Sequence, residues 1–167
     1  MDLPASNAQA APGVQAGTAR HRLFEEQVRI RRCFPAGAME TRAALLAISD
    51  SLRCKGLTED DLSSAELILA EVLNNIVEHA YANTEGQVDL CIDLRANGLY
   101  CEVRDHGGSM PNGQAPNPAL PAINPPQDLP EGGFGWHIIR SLTTQLGYRQ
   151  ENGWNALSFV VPLTWMD

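Results

Sequence analysis

The chain has 167 residues, 44% of them hydrophobic and 19% charged, with a formal net charge of -8. That length suits one domain with a sizeable core, and the acidic balance excludes a broad nucleic-acid footprint or an anionic membrane surface as the main partner. No apolar run reaches about 18 residues and no basic start precedes an apolar segment at the N-terminus, so a cytoplasmic protein is expected, neither secreted nor membrane-spanning.

Residues 1–21 are rich in Ala, Pro, Gly, Ser and Gln and carry no apolar period, which predicts a disordered leader ahead of a single domain over 22–167. Residues 23–33 alternate as a strand with Phe24, Val28 and Ile30 apolar, at an edge or interface, and Pro35 and Gly37 end it. Met39, Ala43, Leu46, Ala47 and Leu52 then recur at helical spacing up to Gly56, a plausible C′ residue. A second helix runs from Thr58 or Ser63 to Tyr81. Residues 88–94 and 99–103 form a hairpin turned by Ala96-Asn97-Gly98, and its second strand leads into Arg104-Asp105-His106-Gly107-Gly108. Residues 109–131 hold seven of the eleven prolines and no apolar face, and glycines flank both ends, which predicts a lid. Gly132-Gly133-Phe134-Gly135 opens a helix through Ile138, Ile139 and Leu142 that ends near Gly147. Residues 147–150 and 157–161 are closing strands joined by Asn152-Gly153. Hairpin strands with helices inserted between them give an α+β fold, a two-layer α/β sandwich rather than a doubly wound sheet.

The second helix carries the chemistry. At roughly 100° per residue, Glu71, Asn75 and His79 fall within about 80° of one another, with Asn74 and Glu78 beside them and Leu69, Leu73, Ile76 and Ala80 opposite. No Lys or Arg lies between Lys55 and Arg95, so the ion pairs that support a solvated helix face are missing, and adjacent asparagines cost helix propensity. Such a stripe is either a solvated face or a ligand wall. Asn75 is a neutral oxygen donor of the kind Mg²⁺ accepts, and Glu71 one turn earlier can take a proton from an attacking hydroxyl or water. Asp105, at a strand end, is a metal ligand, a base, an acceptor for an amine, or an ordinary turn aspartate. Gly133 and Gly135 at a helix start offer backbone N–H groups to an anion, or simply hinge the lid. Together these groups describe phosphoryl transfer. His79, His106 and His137 show no metal-ligand spacing and read as structural or lid-associated. Cys33, Cys54, Cys91 and Cys101 show no CxxC or Cys/His spacing and read as reduced, small core residues.

Glu71-x-x-x-Asn75 on a helix, Asp105-x-Gly107 after a strand, a variable lid and Gly133-x-Gly135 opening a helix resemble the three nucleotide-binding boxes of the GHKL ATPases, the superfamily of gyrase, histidine kinases and MutL. Within it, Asn75-x-x-x-His79-Ala-Tyr81 and the run from Pro130 to Leu142 resemble the anti-sigma-factor serine/threonine kinases. The resemblance covers about residues 22–163. It implies a Bergerat fold, a mixed, mainly antiparallel sheet covered by helices on one face, with ATP held beneath the lid. Asp105 would accept from the adenine amino group, supported by Ser158, and His79, Gly107 and Phe134 would complete the cofactor contacts. Asn75 would ligate Mg²⁺, Gly133 and Gly135 would donate to phosphates, and Glu71 would be the general base. The implied substrate is a serine or threonine of a STAS-domain anti-anti-sigma protein. The implied client is a sigma factor or equivalent regulator sequestered by a homodimer. Two departures stand out: Gly108 directly follows Gly107 where many members place a second glycine later, and no Lys or Arg lies between Asp105 and Ile139. Phosphate charge would then fall to Mg²⁺ and backbone N–H groups, unless Arg140 or a partner contributes. A nucleotide-gated binding module that sequesters without phosphotransfer is the alternative. A detached histidine-kinase domain ranks last, since no phospho-acceptor helix pair is present.

Overall fold

Five strands build the central sheet of the computed structural model, which describes residues 28–117 and 134–164, and burial alternates with period two along the first three. The strands are β1 (Val28–Pro35), β2 (Gln87–Arg95), β3 (Gly98–Asp105), β4 (Thr144–Glu151) and β5 (Trp154–Pro162), in the order β1-β2-β3-β5-β4. Every pairing is antiparallel. Three helices, α1 (Ala38–Cys54), α2 (Glu59–Asn75) and α3 (Gly135–Leu142), a π-helical turn, Ile76–Ala80, that extends α2, and a 3₁₀ turn, Pro111–Gly113, complete the described elements. Val88, Leu90 and Ile92 of β2 and Leu157, Phe159 and Val161 of β5 share one buried cluster with Ile48, Leu69 and Leu73 of the helices. This is the expected two-layer sandwich.

The opposite sheet face is polar. Arg29 pairs with Asp93 and Arg31 with Asp89, each at 2.6 Å, and Glu102 bridges Arg104 and Arg149. Hydrogen bonding by the Arg29 guanidinium holds the Asp93 carboxyl below the usual carboxylate range. These are ion pairs of a solvated surface, within β3 for Arg104 and between strands for the others, each of small net value.

α2 starts at Thr58, whose hydroxyl accepts from Asp61 N at 3.1 Å and donates to Asp61 Oδ2 at 2.8 Å. Asp61 is buried, and its Oδ1 accepts from both N and Oγ1 of Thr164 at 2.8 and 2.9 Å. One carboxylate therefore ties the chain end after β5 to the N-terminus of α2, a role not evident from its place in a run of acidic residues. Asp61→Ala leaves Thr164 N–H without its acceptor, and urea denaturation should show a loss of about 2–3 kcal/mol. A loss within experimental error would mean water replaces the carboxylate.

Several boundaries differ from expectation. Residues 23–27 and the leader lie outside the described residues, and the strand continues to Pro35, which pairs with Gln87. The β2–β3 turn is Ala96 and Asn97, with Gly98 inside β3 opposite Arg95. α3 stops at Leu142, not near Gly147: Thr143 takes extended backbone while its Oγ1 donates to Ile139 O at 2.6 Å. β4 thus begins at Thr144, with a bulge where Gln145 has φ 53. Asn152 and Gly153, φ 52 and 81, make the expected turn into β5, with both central residues at positive φ. Of the cysteines only Cys101 is in the core, where burial pushes its thiol far above its usual range; Cys33 and Cys54 are exposed and all four are free.

Candidate functional site

Between α2, the β3 exit and α3 lies a cavity of about 420 Å³. Val72, Ile76, Leu157 and Trp136 give it apolar walls, while Asn75, His79, Asp105 and Asn155 bring polar groups to it. It has the size and mixture of a small-molecule site.

Asp105 is buried at 5% exposure as the last residue of β3. Its Oδ1 accepts from Gly107 N and from Asn155 Nδ2, both at 2.8 Å. Oδ2 takes no hydrogen bond from the described residues, which leaves one acceptor in an otherwise fixed carboxylate. Such an acceptor fits an exocyclic amine. Gly107 cannot be replaced easily, because a Cβ there would come within 2.5 Å of Ala80 O. Gly108 N donates to that same carbonyl at 2.8 Å, so the loop after β3 is seated on the end of the π-helical turn.

That turn explains how α2 reaches the loop. Tyr81 N bonds to Ile76 O at 3.1 Å, an i→i+5 step that widens the last turn directly after the two asparagines. A regular α-helix to Tyr81 was expected; the wider turn breaks the even rotation between Asn75 and His79, and His79 borders the cavity as an exposed side chain. Tyr81 is buried, donates its hydroxyl to Gln87 O and accepts from His106 N, each at 2.9 Å. Burial pushes that phenol up, opposed by the His106 N–H. His106 itself turns away, with Nδ1 3.0 Å from Gly153 O and its ring against Trp154.

At the other end, Gly135 opens α3 with no side-chain cap supplied by Phe134. A Cβ on Gly135 would come within 2.5 Å of Glu71 Oε2 and 3.5 Å of Asn75 Nδ2. Glu71, Asn75 and Gly135 therefore meet where α3 presents N–H groups that no described side chain caps. Asn75 Nδ2 is buried and unpartnered among the described residues, a costly state for an amide that makes no use of its polarity. Thr41 Oγ1 shares that state in α1, and nothing around it explains it.

Residues 34–161 match the histidine kinase-like ATPase domain model. The chain belongs to that family. It is similar to serine-protein kinase RsbW of Bacillus thuringiensis (strain Al Hakam) and of Bacillus cereus (strain AH820), at 26% identity over 137 residues in each case. RsbW of Bacillus mycoides (strain KBAB4) is 26% identical over the same length. Each alignment covers 81% of this chain and 86% of the relative.

The residues present suit the ATP such a domain binds. A one-sided carboxylate faces an apolar pocket, a glycine keeps the α3 end open, and an unpaired amide lies beside it. The structure brings Asp105, Asn75, His79, Glu71, Gly107, Phe134 and Gly135 to this region. Gly133 and residues 118–131 of the expected lid lie outside the described residues.

Two expectations need correction. Ser158 does not support Asp105: it pairs with Glu102 on β3, and its Oγ lies 3.4 Å from Gly147 O beside the polar sheet face. The residue opposite Asp105 is Asn155, three positions earlier and thus on the other face of β5. Arg140 is committed elsewhere, its Nε donating to Pro116 O at 2.6 Å and an Nη to Ala115 O at 2.8 Å. It holds the beginning of the proline-rich segment against α3 and is not aimed at a phosphate. Asn155 was missed because a lone asparagine two residues after a turn glycine carries no signal of its own. Its strand register with Asp105 is what identifies it.

Proposed function

We propose that this chain is an ATP-dependent serine/threonine protein kinase of the anti-sigma-factor type. Its substrate would be a STAS-domain anti-anti-sigma protein, and its client a sigma factor or equivalent regulator sequestered by a homodimer in a partner-switching pathway. The observation that carries this reading is the meeting of Glu71, Asn75 and Gly135 at the uncapped start of α3, in one region with the half-satisfied carboxylate of Asp105. The RsbW relatives are serine-protein kinases by name. No described helix is long and apolar enough to cross a membrane, consistent with a cytoplasmic place of action.

In this reading Asp105 Oδ2 accepts from the base and the apolar walls enclose it. Asn75 Oδ1 would hold Mg²⁺, which when bound offsets phosphate charge. The N–H groups opening α3 receive the phosphate oxygens, and Gly135 lets them approach. Glu71 takes the proton of the attacking serine or threonine hydroxyl as the new O–P bond forms and the bond to the ADP leaving group breaks. The deciding experiment uses ATP labelled in the γ-phosphate, Mg²⁺ and a STAS-domain protein from the same genome. Label transferred to a serine or threonine of that protein is expected. A nucleotide-gated sequestering module is favoured by one observation: among the described residues, no Lys or Arg lines the cavity. That reading predicts ATP-dependent complex formation with no labelled partner.

A further inference from the structure

Asn155 and Tyr148 form a hydrogen-bonded polar chain in the cavity wall. Asn155 is 3% exposed, and both ends of its amide are engaged. Nδ2 donates to Asp105 Oδ1 at 2.8 Å and to Gly107 O at 3.1 Å, and Oδ1 accepts from the Tyr148 hydroxyl at 2.7 Å. The same hydroxyl accepts from Met110 N at 3.1 Å. Met110 is the second residue of the proline-rich segment, and its side chain borders the cavity with that of Tyr148. A continuous line of hydrogen bonds therefore runs from the base-facing carboxylate to the first residues of that segment.

We propose that Tyr148 and Asn155 are positioning residues that couple the Asp105 acceptor to the backbone at Met110, so that base capture and the start of the 109–131 segment are set together. Both line the cavity, and the argument concerns the polar atoms they commit to protein partners. Asn155 fixes Oδ1 of Asp105 and thereby leaves Oδ2 as the acceptor. Tyr148 supplies the donor that anchors Asn155 Oδ1, while Nδ2 is held by Asp105 Oδ1 and Gly107 O. Without that donor Asn155 Oδ1 is left buried and unpaired and the amide loses one of its anchors, which loosens its hold on Asp105 Oδ1. β4 and β5 supply the two members from pairing partners, since Tyr148 lies opposite Leu157 and Gln150 opposite Asn155, two residues along the same face. The hydroxyl reaches Asn155 across that diagonal.

The proposal rests on the ATP-site reading, and the test separates the two. Tyr148→Phe keeps the ring in its packed position and removes only the hydroxyl; Tyr100→Phe, whose hydroxyl bonds only Asn97 on the polar sheet face, is the matched control. Mg-ATP affinity is measured by calorimetry, and exchange of the Met110 amide by NMR with and without ATP. In Tyr148→Phe the Met110 amide should exchange faster, ATP should bind about tenfold more weakly, and the ATP-induced protection of Met110 should disappear. In the phosphotransfer assay the ATP KM should rise with kcat unchanged, because the relay does not reach the transferring group. Tyr100→Phe should match the wild type throughout. Faster Met110 exchange with unchanged ATP affinity would overturn the coupling and leave a merely structural bond. Unchanged exchange would overturn it outright. A wild type that fails to bind ATP would remove the nucleotide reading and the relay with it, whereas ATP binding equal in wild type and Tyr148→Phe removes the relay alone.

Discussion

Glu71→Gln should reduce phosphotransfer to the partner protein by about 10²- to 10⁴-fold, the contribution of a positioned general base, while leaving ATP binding intact. The expectation of intact binding follows from the surroundings of Glu71. The side chain is half-buried, its Oε2 lies against Gly135, and it makes no hydrogen bond to the described residues. Glutamine has the same shape and leaves no neighbour unpaired, so the fold should not respond. The amide also carries no charge to repel phosphate, so affinity for ATP should be unchanged or higher. Rate and affinity must therefore separate, which loss of structure would not produce. Labelling of the partner and calorimetric ATP affinity, measured on the same preparation, check both halves. Full labelling by Glu71→Gln would remove Glu71 as the base. Equal loss of rate and binding would mean that the carboxylate holds the site together and takes no proton.

Much of this site was legible because each part obeys a local rule. Apolar residues on one side of α2 and polar ones on the other fix which face meets the core, and Asn152-Gly153 dictates its own turn. Asp105 before two glycines announces a strand end beside flexible backbone. The parts that were not legible depend on register or on long-range contact. Ser158 and Asn155 differ by three residues, an odd number, so a strand places them on opposite faces, and only the pairing of β3 with β5 shows which face holds Asp105. The π-helical turn after Asn75 answers to the loop seated on Ala80 and to the buried bonds of Tyr81, which no window of helix sequence contains. Arg140 sits at helical spacing like any last-turn cation, yet its guanidinium is occupied by two carbonyls more than twenty residues earlier. Asp61 looks like one of three acids in a first turn until Thr164 arrives from the far end of the chain.

Asp105→Asn should invert the base preference, and it carries the second large effect. In the wild type Oδ1 is held by the Gly107 and Asn155 donors, so the free oxygen offers only an acceptor to the cavity. An asparagine in that place keeps its oxygen toward those two donors, because turning it would set NH₂ against N–H groups at both. Its own NH₂ then faces the ligand. The adenine amino group would meet a donor in place of an acceptor, with both groups buried and unpaired, and ATP affinity should fall by about 100-fold or more. Inosine triphosphate, which carries a carbonyl where ATP carries the amine, should gain what ATP loses. The wild type should prefer ATP over inosine triphosphate and Asp105→Asn should prefer the reverse, measured by calorimetry with both nucleotides on both proteins. A reversal is hard to obtain from general damage, which weakens both ligands together. If both affinities fall in parallel, Asp105 supports the loop rather than reading the base, since the loop after β3 also depends on its bond to Gly107 N. If neither changes, the base lies elsewhere in the cavity, and the unpaired oxygen of Asp105 has no part in recognising it.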